Sequence, residues 1–282
     1  MARPSVVLVT AALLPDGELG GDLIGPLDDA GIDARWKVWD GEDVDWVADL
    51  VVVRSTWDYH RRVPEFLAWA QRVERISPLL NGAAVFAWNA DKAYLIELGD
   101  HIPVVPTRLM DESSLVSGLA DCLEEFGAIV VKPRIGASGV GLVVVEETLD
   151  PRLQGLVTGP WVVQPLVPSV RTTGEMSVYV FAGRAVSQVH KRPGVEEVRV
   201  HELYGGSSRP VPLSADTTEL AERAVRSAER LLDSRLAYAR VDMMIWNDVW
   251  TVSELELIEP GLYLGVDPAN AARFAALVSS QL

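Results

Sequence analysis

The sequence predicts an α/β protein, with a small parallel sheet first and antiparallel strands around a glycine-rich hairpin after it. Three observations carry that expectation. Strand-like and helix-like segments alternate over residues 5–76, and the continuous apolar run Leu50-Val51-Val52-Val53 is typical of a buried parallel strand. The β-branched runs around Val130-Val131 and Val143-Val144-Val145 flank a turn bearing Gly136, Gly139 and Gly141. Tyr238 to Ile245 and Val249 to Leu257 read as a hairpin turning at Asn247-Asp248.

The 282 residues suffice for one large or two modest domains, and a hydrophobic content of 49% supplies a core. A formal charge of −15 argues against a nucleic-acid surface, which needs clustered Lys and Arg. The single cysteine, Cys122, excludes an intrachain disulfide and suits a reducing cytoplasm. It shares helical spacing with Leu115, Leu119 and Phe126, which places it in a core. No apolar run approaches a membrane span, and Val6 to Leu14 reads as a buried strand rather than a signal core.

In chain order, strands are expected at 5–10, 34–39 and 49–54, with helices near 20–30 and 63–76. Ligands bind beyond the carboxyl ends of such strands. That singles out Arg54-Ser55-Thr56-Trp57-Asp58-Tyr59. Arg54 could take a substrate carboxylate and Asp58 an ammonium, with Ser55 and Trp57 beside them. Alternatively, Arg54 and Asp58 pair to stitch the loop and the aromatics pack. Asn89 is expected to cap a short helix carrying Lys92 in its first turn, where a cation is favoured only if an anion is near. Ile102 to Thr107 is an extended linker, and a helix follows at 112–126. Further strands are expected at 161–167, 174–181 and 185–191, and a helix at 214–232.

Gly136, Gly139 and Gly141 allow the backbone to approach a ligand closely, and consecutive N–H groups in such a loop can cradle a phosphate. Lys132 adds a point charge. A P-loop and a dinucleotide fingerprint both need a helix after the glycines, whereas Gly141 leads into a strand. A protein kinase places its lysine after the loop and carries His-Arg-Asp, which is missing. An ordinary glycine hairpin is the remaining alternative.

Glu254 and Glu256 are two apart on a strand and share a face, opposite a strand carrying Asp242 and Arg240. Three unpartnered acids would repel, and Mg²⁺ is their natural partner; a solvent-facing acidic edge is the alternative.

Together these residues resemble the ATP-grasp superfamily: Asn89-Ala90-Asp91-Lys92, Lys132-Pro133 with the glycine loop, Gln164-Pro165-Leu166-Val167, Gly174-Glu175-Met176-Ser177, Arg240-Val241-Asp242 and Glu254-Leu255-Glu256-Leu257-Ile258-Glu259-Pro260. The resemblance spans nearly the whole chain. It is nearest to the glutathione-synthetase-like branch and, within it, to relatives of the D-cycloserine-forming ligase. It implies an N-terminal substrate domain (1–88), a lid subdomain (89–160) and a catalytic antiparallel-sheet subdomain (161–282). It implies that Lys92, Lys132 and the loop Gly136, Ser138, Gly139 and Gly141 grip ATP phosphates. Gln164, Leu166 and Val167 would read the adenine, with Glu175 near the ribose. Lys191, Arg199 and Arg240 would steady the transferring phosphate or the substrate, and Asp242, Glu254 and Glu256 would hold Mg²⁺, for which Mn²⁺ could substitute. Glutathione synthetase has asparagine where Glu256 stands, and the Arg192-Pro193 and His201 neighbourhood departs from it too.

The implied activity is an ATP-dependent carboxylate–amine ligase of the cytoplasm, forming a C–N bond through an acylphosphate on a small amino-acid-like substrate. An intramolecular cyclisation, as in antibiotic biosynthesis, is one form of it. The alternatives are a dipeptide or amide ligase of natural-product biosynthesis, a small-molecule kinase on the same fold, or an ATP-binding protein without turnover. His190 and His201 are candidate bases, although a lone histidine is more often structural. A homodimer is the commonest oligomeric default.

Overall fold

The computed structural model describes residues 2–156 and 159–282. Strands β1 (Ser5–Thr10), β2 (Asp33–Val38) and β3 (Leu50–Ser55) form a parallel sheet in the order β2-β1-β3. Helix α1 (Ile24–Asp29) supplies the crossover from β1 to β2, residues 39–49 carry the chain on to β3 without a helix, and α2 (Val63–Glu74) follows β3. Phe66, Trp69, Ala70 and Val73 form the buried face of α2 and pack with Val51 and Val53.

Helix α3 (Ala83–Asn89) ends where a helix was expected to begin, and α4 (Tyr94–Gly99) starts after Lys92. Asn89 is not an N-cap. Its amide donates to the Leu255 carbonyl and accepts from the Leu257 N–H, both at 2.8 Å, so a distant strand wins the side chain from its own backbone.

The glycine hairpin lies in a second sheet, ordered β4-β7-β5-β6, from β4 (Arg108–Met110), β5 (Ile129–Pro133), β6 (Val143–Val145) and β7 (Trp161–Pro165). Helix α5 (Leu115–Phe126) covers it, burying Leu119 and Cys122. Because β7 ladders with β5 from Pro133↔Trp161 to Ile129↔Pro165, the boundary expected at 160 falls inside this sheet.

A short helix, α6 (Ser169–Thr172), leads to the third sheet, ordered β10-β9-β8-β11-β12 and wholly antiparallel. Its strands are β8 (Glu175–Phe181), β9 (Arg184–Arg192), β10 (Ser207–Val211), β11 (Tyr238–Trp246) and β12 (Val249–Glu256). Helix α7 (Ala215–Leu232) packs on one face through Leu220, Ala221, Ala224, Val225 and Ala228. Asn247 and Asp248 both have positive φ (48° and 63°), the left-handed pair of a two-residue hairpin turn. The linker at 102–107 is drawn onto β12: Val252 donates to the Pro103 carbonyl and Val105 to the Val252 carbonyl. Helix α8 (Ala269–Ser280) closes the chain, its Phe274, Ala275 and Val278 sharing one core with Val6 and Leu8 of β1 and Tyr179 of β8.

Asn89→Ala removes two buried hydrogen bonds and orphans the Leu257 N–H. Urea unfolding should show a loss of about 2–3 kcal/mol. A loss below about 0.5 kcal/mol would mean that this amide does not tie α3 to β12.

Candidate active site

A cleft of about 860 Å³ runs between the glycine-loop sheet, the face of the antiparallel sheet and the carboxyl end of the parallel sheet. Strand register decides which side chains enter it. Asp242 stands opposite Glu254, and Arg240 opposite Glu256, so the four charges share one face as their spacing predicts. On the other side of β11, Asp242 faces Ser177 of β8, and Glu175 faces Lys191 of β9.

These acids are not unpartnered. Asp242 accepts from Ser177 Oγ at 2.6 Å, Arg240 Nε at 3.0 Å and Lys191 Nζ at 3.1 Å. Arg240 also binds Glu256, Lys191 also binds Glu175, and Lys92 Nζ lies 3.1 Å from Glu254. Burial opposes the charge on Asp242, yet Arg240 and Lys191 hold its pKa below the usual carboxylate range. Burial likewise opposes the Lys191 ammonium, and Asp242 with Glu175 outweighs it, so its pKa stands above the ordinary lysine value. Glu254 is lowered by Lys92 and Lys132 against burial. At Glu256 burial prevails over Arg240 and pushes the carboxyl up to about 7.

No ready-made cage of three His, Cys, Asp or Glu side chains for a metal exists among the described residues. Mg²⁺ takes one or two carboxylates and fills the rest of its shell with water and phosphate oxygens. Glu254 and Glu256, with side chains 32% and 30% exposed, can offer oxygens to such an ion, whereas Asp242 is 4% exposed.

Opposite the acids, Lys92 Nζ donates to the Gly136 carbonyl at 2.8 Å, so one lysine touches both the glycine loop and β12. Arg134 at the loop's base is bound by Asp91. Ser138, Gly139 and Gly141 all have positive φ (54°, 68° and 76°). A Cβ on Gly139 would come within 3.1 Å of Arg199 Cδ, so loop backbone and arginine pack directly. Arg199 lies over the Tyr204 ring at 3.5 Å and binds Glu197. Lys132 makes no ion pair among the described residues, and burial lowers its pKa. At the hinge the Leu166 N–H donates to the Ala128 carbonyl, while the Leu166 carbonyl and the Val167 N–H have no partner among the described residues. Gln164 donates to Thr107 Oγ1 at 2.9 Å.

The loop after β3 departs from expectation. Arg54 is fully buried and does not line the cleft; Glu18 Oε1 accepts from both its Nε and its Nη2, and the Pro260 carbonyl accepts at 2.7 Å. Ser55 is buried against Thr10 Oγ1 at 2.8 Å, and Asp58 accepts from Trp39 Nε1 at 3.0 Å, away from the cleft. Only Trp57 of the four lines the cleft, and its Nε1 donates to the Glu259 carbonyl at 3.2 Å. Arg54 and Asp58 both stitch, but each to a partner other than the other. His190 is also structural: one ring nitrogen donates to the Thr173 carbonyl at 2.5 Å and the other accepts from Arg209 at 3.3 Å. His201 lines the cleft with Nδ1 accepting from the Leu203 N–H.

Residues absent from the sequence expectation for this wall are Glu18 and Tyr263, with Tyr59 and Glu259 present there only as members of their motifs. A signal existed for Glu259, an acid between a strand end and Pro260-Gly261. None existed for Glu18, whose partner is 36 residues away.

Arg54→Met leaves Glu18 as a buried charge without its partner, and should cost about 3–5 kcal/mol in thermal or urea unfolding. An unchanged midpoint with a raised substrate KM would instead restore Arg54 to substrate binding.

Residues 6–81 match the family described as D-cycloserine synthetase DcsG, N-terminal domain. The chain is 31% identical over 268 residues to the cycloserine biosynthesis protein DcsG of Streptomyces lavendulae, covering 89% of this chain and 90% of that one. It is 28% identical over 161 residues to a glutathione synthetase of Mesorhizobium japonicum, covering 54% and 47% of the two chains. The crystal structure of D-cycloserine synthetase DcsG superposes with a TM-score of 0.87 at 28% identity, over 98% of this chain and 99% of that one. D-alanine–D-alanine ligase of Bacillus anthracis shares the fold, with a TM-score of 0.67 at 16% identity over 99% and 94%. With charged strands in register, a glycine loop above them and near full-length similarity, this chain belongs to the DcsG family of ATP-grasp ligases.

Proposed function

We propose that this ligase closes a C–N bond within a small amino-acid-like substrate, joining its carboxylate to an amine-type nitrogen through an acylphosphate. The observation that carries this reading is the position of Lys92, which bridges the glycine loop and Glu254 across the cleft. A triphosphate between them would meet Lys92, Lys132 and the loop N–H groups from above and the β11–β12 acids from below. Lys92 and Lys132 hold phosphate oxygens, Ser138 and the loop glycines cover them, and the Leu166 carbonyl and Val167 N–H read the adenine edge. Glu175 lies toward the ribose. Glu254 and Glu256, with Asp242 behind them, would hold Mg²⁺, which would supply neutralisation of the phosphate charge.

The substrate carboxylate attacks the γ-phosphate and ADP leaves. Arg240, Lys191 and Arg199 offset the charge that builds on the transferring group. The nitrogen then attacks the acyl carbon and phosphate departs. The loop excludes water, which would otherwise hydrolyse the acylphosphate.

Ring closure fits the family. Opening the ring amide of D-cycloserine on paper gives a serine with an O-amino group: a carboxylate, an aminooxy nitrogen and an α-ammonium on one molecule. An aminooxy nitrogen is uncharged near neutrality, so its attack needs no strong base, and the cleft needs none from its histidines. No helix among the described residues is long and apolar enough to cross a membrane.

With Mg²⁺ and ATP, O-amino-D-serine should give ADP and D-cycloserine in equal amounts, read by coupled ADP release and product chromatography. Added hydroxylamine should divert a substrate that cannot cyclise to a hydroxamate. ADP release without hydroxamate, accompanied by a phosphorylated hydroxyl, would replace the ligase with a kinase. Glu254→Gln should lower kcat at least about 100-fold while the protein stays folded.

A further inference from the structure

The acids that line the cleft differ in one respect. Glu18 is closed by Arg54, Glu175 by Lys191, Asp242 by Arg240 and Lys191, Glu254 by Lys92 and Glu256 by Arg240. Glu202 lies exposed in a surface turn. Glu259 is partly buried, lines the cleft, and its carboxylate makes no hydrogen bond or ion pair among the described residues.

The backbone that presents it is fixed. The Glu259 carbonyl accepts from Trp57 Nε1 at 3.2 Å and the Pro260 carbonyl from Arg54 at 2.7 Å, so the loop after β3 acts on this position rather than on a ligand. Glu259 stands beyond the end of β12, on the parallel-sheet side of Glu256, in a wall shared with Trp57 and Tyr59. Lys132, Gln164 and Val167 line the nucleotide side. We propose that Glu259 is a specificity-determining residue that receives the α-ammonium of the amino-acid substrate.

The inference rests on the ligase reading above and names a subsite within it. Five cations line the cleft, Lys92, Lys132, Lys191, Arg199 and Arg240, and they suit a polyphosphate and a carboxylate. A substrate ammonium among them is repelled unless an acid is free to take it, and Glu259 is that acid. Burial, with Glu256 adding to it, raises the Glu259 pKa well above the carboxylate range, so the site gains by accepting a positive partner. No bond is made or broken at this residue. Trp57 and Tyr59 exclude water from the pair, which strengthens it.

The test compares O-amino-D-serine with 3-aminooxypropionate, which lacks the α-ammonium, in ADP release with Mg²⁺ and ATP. The wild-type protein should prefer the amino acid by about 10- to 100-fold in kcat/KM. Glu259→Gln should raise KM for O-amino-D-serine by a similar factor, leave KM for ATP within about twofold, and bring the two substrates to near-equal kcat/KM. Glu259→Asp should restore part of the preference. A Glu259→Gln protein that keeps the wild-type preference overturns the inference and leaves the ligase standing, as does a wild-type protein that uses both substrates equally. A wild-type protein that releases no ADP with either compound overturns the ligase reading, and this inference falls with it. Should Glu259→Gln fail to fold, the wild-type substrate pair and Glu259→Asp still decide the matter.

Discussion

Six consecutive carbonyl oxygens, from Leu257 to Leu262, each accept a hydrogen bond from a different side chain. The donors are Asn81, Tyr238, Trp57, Arg54, Tyr179 and Asn270, in that order. The segment follows β12 and belongs to no helix or strand, so its backbone has no ladder to satisfy it. A buried carbonyl left unpaired costs about 1–3 kcal/mol, and six in a row would be prohibitive. The donors come from β3 and the loop after it, the residues before α3, β8, β11 and α8. One irregular stretch therefore welds the parallel sheet to the antiparallel one. It also helps a fully buried arginine to be tolerated: Arg54 Nε and Nη2 are bound by Glu18 and the Pro260 carbonyl, its Nη1 has no hydrogen-bond partner among the described residues, and the guanidinium lies over the rings of Tyr238 and Phe274.

The weld holds one wall of the cleft at a fixed distance from the charged strands, where a second constraint operates. Cations and anions alternate across the sheet, from Glu175 through Lys191, Asp242 and Arg240 to Glu256. Each charge is neutralised by a neighbour on the same face, so the chain folds without isolated buried ions. On the proposed reading, a polyanion with its metal would enter by exchanging partners, its phosphates taking lysines while Mg²⁺ takes carboxylates. The exchange costs less than stripping bare ions of water, because the protein charges are already desolvated. The molecule is acidic overall, with a formal charge of −15, yet five of its 25 Lys and Arg residues line this cleft.

What the sequence reveals of this follows the reach of its signals. Strand period is local, so the shared face of Arg240 and Asp242 and of Glu254 and Glu256 is readable from spacing, and the hairpin turn supplies the register. The glycine loop is readable because positive φ at Gly139 and Gly141 demands that residue. Arg54 is misread because its partners, Glu18 and Pro260, are 36 and 206 residues away, and nothing local distinguishes a stitching guanidinium from a binding one. Asn89 is misread for the same reason: capping is a local preference overridden by a contact 166 residues distant. Helices α3 and α8 go unread although both are apolar, since short helices in apolar surroundings lack a polar face to mark their period.

The glycine loop stands apart from this rigidity. Its contact with the acids' side of the cleft runs through Lys92, which donates to the Gly136 carbonyl at 2.8 Å. A neutral carbonyl is a modest partner for an ammonium, worth about 1.5–3 kcal/mol. Ser138, with φ 54°, holds a conformation that costs a non-glycine residue about 1–2 kcal/mol. The loop is therefore lightly held on one side, while Arg199, Gly139 and Tyr204 pack it on the other. On the proposed reading, a phosphate gripping Lys92 would compete with the Gly136 carbonyl but offer the loop N–H groups an anion in return. Closure and phosphate binding would thereby become one equilibrium, with the lysine as the shared term.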